Sequence, residues 1–383
     1  MTAEHGARTA VVVVHGVGEK RPMETFDGFV RTALTPHDGT WAHHPRPAEV
    51  TDTYEVRRYA VPEQSTEFFE YHWSYLMTAD QYAGVAPTAL RLFLRRPSNV
   101  PDALLGIWRL AWTVVLAALA VIPVLFVSGY ALNSDVPGWI IGLTISAVVL
   151  IFWFGLYRML WRALVNKKTA PLVDSVRYLD PTPDSYAARR AIRAGLVDLL
   201  ENLHDEGYAR IIVVAHGVGA YIAYDALTLF WAQTRNRDGQ RNAWCITDFV
   251  TVGAPLALAD LVVTRPPLLS GLTTSDVEVR RELFEGLLRR GVLVGTGQSD
   301  AQSPFHSTRW TNLWFPVASG SRSGDWFGGE LGPLFGSGID DIAVHGNEPE
   351  RLKRGSAHTE YFGHPDRGGE DDFAWHLRRT LRL

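Results

Sequence analysis

Residues Ala209 to Asp225, A-R-I-I-V-V-A-H-G-V-G-A-Y-I-A-Y-D, hold the pattern in which a catalytic nucleophile is commonly presented. Ile211 to Val214 is a short β-branched apolar run, suited to a strand buried on both faces. A turn of small residues follows, Ala215-His216-Gly217-Val218-Gly219. Beyond it Ala220, Tyr221, Ala223, Tyr224 and Leu227 recur at helical spacing. Strand, sharp turn and helix are the setting of the nucleophile elbow G-x-S-x-G, which exposes a serine hydroxyl for acyl transfer. In this chain Ala215 replaces the first glycine, Gly219 keeps the last, and Gly217 stands where the serine belongs. The elbow pattern is present without its nucleophile.

Other reactive residue types are sparse. The single cysteine, Cys245, excludes an internal disulfide and suits a reducing compartment. Flanked by Trp244 and Ile246, it reads as a small buried hydrophobe rather than a second nucleophile. His72, between Tyr71 and Trp73, reads as a core or rim histidine. His43 and His44 lie in a proline-rich stretch with no second ligand pair at useful spacing, so neither a metal nor a cofactor is expected. A formal net charge of −4 over 383 residues argues against a general nucleic-acid binder.

The elements that must position this chemistry alternate along the chain. Val11 to Val14 is a second buried-strand run, and Phe26, Phe29, Val30 and Leu34 mark a helix closed by the Pro36–Pro47 segment. Tyr54–Val61 and Glu67–Tyr75 read as strands. Asp184 or Ser185 caps a helix running to Tyr208, with Ile192, Leu196, Leu199, Leu200 and Leu203 as its apolar stripe. Phe249–Val252, Asn312–Val317 and Ile339–Val344 are further strands. Val277–Arg290 is amphipathic, and a helix from Asp371 to Leu383 closes the chain. This alternation predicts an α/β fold, a mostly parallel sheet with helices on both faces.

Between residues 105 and 163 the composition changes. Leu110–Leu132 is charge-free over about 23 residues and Val136–Tyr157 over about 22, each long enough to cross a bilayer core. Only Asn133-Ser134-Asp135 separates them, which predicts a two-helix transmembrane hairpin. Arg91, Arg95, Arg96 and Arg109 precede it and Arg158, Arg162, Lys167 and Lys168 follow. By the positive-inside rule, both flanks and both termini are expected in the cytoplasm, with the lipid bilayer as a partner. Met1 to Thr9 is polar and has no signal-peptide pattern.

The elbow-like turn, His15-Gly16-Val17 after the first strand and Gly253-Ala254-Pro255-Leu256 after the next together resemble the α/β-hydrolase superfamily. Within it the likeness is to lipase- and esterase-like serine hydrolases. The resemblance covers residues 8–100 and 165–383, so the hairpin is an insertion before the elbow strand. It implies an oxyanion hole from the turns His15-Gly16-Val17 and Val218-Gly219. It implies a histidine late in the chain, matched by His358 in S-A-H-T-E-Y-F. The acid belongs after the strand Asn312–Val317, but Ala318 and Ser319 stand there. The nearest carboxylate downstream is Asp325, either a displaced or remnant acid or a loop-capping residue.

Three functions follow as expectations. The first is a membrane-anchored, catalytically degenerate hydrolase relative, a pseudoenzyme that binds an amphiphilic small molecule or acts as a scaffold. The second is an active lipid or ester hydrolase in which His358, with Asp325, activates water. The third is an oligomeric effector working through the hairpin, its oligomeric state left open.

Overall fold

A computed structural model describes residues 8–16, 23–34, 44–61, 65–77, 183–236, 244–255, 303–316, 324–325, 327–332, 338–344, 357–362 and 372–382. Between residues 94 and 178 it adds isolated positions. Eight strands form one sheet: β1 (Thr9–Val14), β2 (His44–Val50), β3 (Glu55–Val61), β4 (Thr66–His72), β5 (Arg210–His216), β6 (Ile246–Val252), β7 (Arg309–Trp314) and β8 (Ile339–Ala343). Their spatial order is β2-β3-β4-β1-β5-β6-β7-β8. From β4 to β8 every neighbouring pair is parallel, while β3 runs antiparallel to both β2 and β4.

The valine run of β1 shows why such strands carry no polar alternation. Val11 and Val13 enter one hydrophobic cluster, and Ala10, Val12 and Val14 enter the other, so both faces are buried. Helices α2 (Pro183–Asp205) and α3 (Gly219–Asn236) cover one face through Leu196, Leu200, Ala223 and Leu227. Helices α1 (Glu24–Ala33) and α4 (Phe373–Leu381) cover the other through Phe26, Phe29, Val30, Phe373 and Leu377. The sheet is therefore sandwiched between two helical layers, an α/β architecture with a mostly parallel sheet.

The proline-rich end of the Pro36–Pro47 segment, which reads as a helix breaker, begins β2, whose residues are almost all exposed. Pro45 and Pro47 cannot donate to a ladder, and an edge strand tolerates them because one side needs no partner. The register also shifts between Arg46 and Glu49. The amphipathic stretch Val277–Arg290 lies outside the described residues, as does almost all of the apolar pair Leu110–Leu132 and Val136–Tyr157. Among the described residues no helix is long and apolar enough to cross a membrane. The few described positions inside those runs are helical, and Leu116 and Phe154 among them are 58% and 65% exposed.

Candidate functional site

Three chain segments meet where β1 and β5 end. Gly217 and Val218 form the tight turn between β5 and α3. Gly217 has φ +54°, the left-handed conformation that a nucleophile elbow imposes on its central residue and that glycine adopts without strain. Gly219 starts α3 so close to β1 that a β-carbon there would run into the carbonyl oxygens of Val14 and His15. The last glycine of the motif is thus explained by packing, and Val218 is buried beside it.

His358, in a short 3-10 turn of residues Ala357–Thr359, is buried and faces this elbow. A β-carbon built on Gly217 would lie 2.9 Å from His358 Nε2, 3.4 Å from its Cε1 and 3.6 Å from the Gly16 Cα. The imidazole, the elbow and the turn after β1 therefore share one point in space. Among the described residues, the buried Nε2 of His358 has no hydrogen-bond partner.

Behind the ring stands Asp325, fully buried, its Oδ2 at 2.9 Å and Oδ1 at 3.2 Å from His358 Nδ1. Asp325 follows β7 by several residues, yet its backbone N–H donates to Phe315 O at 3.0 Å, which returns it to the strand's end. Tyr361 Oη donates to Asp325 Oδ2 at 2.8 Å and accepts from Phe315 N at 3.1 Å. The Phe327 N–H donates to Asp325 Oδ1 at 2.8 Å, the local turn expected of a capping aspartate. Asp325 thus makes both the loop bond and the histidine bond.

Burial alone would push the Asp325 carboxyl up. The positive charge and hydrogen bond available from His358, with the N–H groups of Phe327 and Gly328, outweigh burial and hold it below the usual carboxylate range. Burial, followed by the Asp325 charge, raises the Tyr361 hydroxyl well above its ordinary value, so it remains a donor.

His216, the residue before Gly217, supports the histidine. Its Nε2 donates to the carbonyl of His358 at 2.9 Å, and the two rings lie 5.0 Å apart. Asn312 and Asp341 fasten the far end of the acid loop. Asn312 Nδ2 donates to Gly329 O at 2.9 Å and to Asp341 Oδ1 at 2.7 Å, while Asp341 Oδ2 accepts from Gly332 N at 2.6 Å. Neither pair sits in a local motif, and their strand registers alone gave no sign of this role.

Of the expected oxyanion residues, Gly16 lies beside the elbow as described, and Val17 lies outside the described residues. His15 is buried, stacked on Trp73 with ring centres 5.2 Å apart, and its Nδ1 donates to Gly16 O at 3.0 Å. It buttresses the turn rather than facing His358. Ala318 and Ser319 also lie outside the described residues. The assembled groups can accept a proton at Nε2 and stabilise the resulting imidazolium through Asp325, but they offer no side-chain nucleophile. Compared with protein-family models, with curated proteins and with solved structures, the chain gives no match.

Proposed function

We propose that this chain is an α/β-hydrolase-like binding module held at the cytoplasmic membrane surface. In this reading it has no covalent route to ester hydrolysis and engages an amphiphilic ligand through His358. The observation that carries it is the pairing of Gly217 with an oriented imidazole: Nε2 stands 2.9 Å from where the side chain would begin. Without a hydroxyl or thiol there, no acyl-enzyme can form at the elbow, and residual catalysis is limited to about 10³–10⁴-fold over water. The histidine remains available for hydrogen bonding because Asp325 and His216 fix it from behind. Two charge-free runs with arginine-rich flanks support the membrane-anchored part, as does the exposure of Leu116 and Phe154 within them.

A second reading is favoured by the Asp325–His358 bond itself, which is the arrangement of a general base. In that reading water replaces the seryl oxygen and the protein hydrolyses esters without a covalent intermediate. Two assays on the full chain in nanodiscs separate the readings: labelling by a fluorophosphonate probe, and hydrolysis of a short-chain ester. The binding module gives neither. Ester turnover abolished by His358→Ala, without labelling, establishes the water-activating enzyme. Probe attachment to a serine beside His358 defeats both.

A further inference from the structure

The chemical class of the ligand follows from the proton positions in the site, an inference that rests on the binding reading above. An ionised aspartate only accepts hydrogen bonds. Both oxygens of Asp325 lie within 3.2 Å of His358 Nδ1, so that nitrogen carries the proton and donates. In the neutral ring Nε2 then presents a lone pair. It is buried, has no hydrogen-bond partner among the described residues, and lies 2.9 Å from where a β-carbon on Gly217 would stand. We propose that the ligand of this site is an alcohol, whose hydroxyl donates to the buried His358 Nε2 beside Gly217.

The alternatives fit less well. An ester carbonyl or an ether oxygen can only accept, so it would set a lone pair against a lone pair. A carboxylate adds to that mismatch the charge of Asp325 one ring-width behind. An ammonium would have to shed its hydration to reach a histidine that is 1% exposed, a far larger penalty than a neutral hydroxyl meets. Apolar side chains pack around the same ring and turn. Phe327 meets the His358 ring edge-on with centres 5.6 Å apart, and Val218 is buried at the elbow.

The test uses the full chain, ¹⁵N-labelled at histidine, in lipid nanodiscs at mildly alkaline pH. The His358 resonances are assigned by their loss in His358→Ala. The probes are 1-butanol and its isomer diethyl ether, which match in composition and differ in having or lacking a donor. The expected result is a saturable shift of the His358 Nε2 resonance with 1-butanol and at least tenfold weaker response to diethyl ether. Gly217→Ala should abolish the butanol response, because its methyl carbon would lie 2.9 Å from Nε2; unchanged resonances of His204 on α2 and His376 on α4 report that the variant is folded. An equal response to both isomers, no response to butanol, or a stronger response to butyrate overturns the alcohol assignment. Failure here with no fluorophosphonate labelling removes the alcohol class alone, whereas labelling of the wild type removes the binding reading itself.

Discussion

Gly217→Ser is the perturbation whose outcome depends most directly on the geometry. The backbone at φ +54° already has the elbow conformation, and placing serine there costs about 1–2 kcal/mol that glycine avoids. The new β-carbon would begin 2.9 Å from His358 Nε2, closer than such contacts occur, so the imidazole must retreat by a few tenths of an ångström. It is backed by Asp325 at 2.9 Å and held at its carbonyl by His216, so this adjustment strains an assembled pair. In a serine hydrolase the triad serine is worth about 10⁶-fold in turnover, and a misplacement near 1 Å costs about 10²-fold. The expected gain over wild type in short-chain ester hydrolysis is therefore on the order of 10⁴-fold, discounting the first figure by the second.

The same variant should be labelled by a fluorophosphonate probe at residue 217. Adding Ala318→Asp should bring no further gain, because Asp325 already orients His358. A Gly217→Ser protein that folds, yet neither labels nor hydrolyses faster than wild type, would refute the claim that elbow and imidazole are in register. Superadditive rescue by Ala318→Asp would refute the assignment of Asp325 as the orienting acid.

Further outcomes are expected elsewhere in the chain. Tyr361→Phe removes a donor from Asp325 and an acceptor from Phe315 N; urea unfolding should show a loss of about 1–3 kcal/mol. Burial raises the Glu70 carboxyl to about 7, against the opposing Met23 N–H and Arg57 charge, so its contribution is full below the ordinary glutamate value and lost as pH rises through about 7. The loss is of order 3 kcal/mol, and Glu70→Gln should flatten that part of the stability profile measured by denaturant titration. Asp325 has the opposite sign: its contribution is present above the ordinary aspartate value and is lost as pH falls through its depressed one. In intact cells a cysteine at Ser134 should react with an impermeant thiol reagent, and one at the exposed Ser307 only after permeabilisation; the reverse pattern rejects the proposed topology.

What could be read in advance was what is encoded locally. The β-branched runs Val11–Val14 and Ile211–Val214 carry their burial in their composition, and β1 and β5 lie side by side at the sheet's centre. The elbow was legible because strand, small-residue turn and helix are contiguous. β2 was not, since Pro45 and Pro47 argue against a strand everywhere except at an edge, and edge position is a property of the whole sheet. The orienting acid was legible only as one of two alternatives, a displaced acid or a loop cap. Asp325 reaches His358 only because its N–H returns to Phe315 and because Asn312 and Asp341, on neighbouring strands, fasten residues 329–332.

That construction explains how a glycine elbow and an assembled acid–histidine pair coexist in one chain. The donors described at Asp325 are Tyr361 Oη, His358 Nδ1 and the N–H groups of Phe327 and Gly328. None of them comes from the elbow. The His358 carbonyl is held by His216, whose own place is fixed by β5 rather than by the residue that follows it. Residue 217 can therefore lack a side chain without withdrawing any partner from the pair. Its only loss is the group that would have met Nε2, and this leaves a nitrogen buried, oriented and able to accept a hydrogen bond from whatever the site receives. Removing His216 tests this directly: His216→Ala takes the donor from the His358 carbonyl and a ring from beneath the imidazole, and should loosen His358 in ¹⁵N relaxation relative to wild type. Wild-type rigidity in the variant would show that Asp325 alone holds the ring.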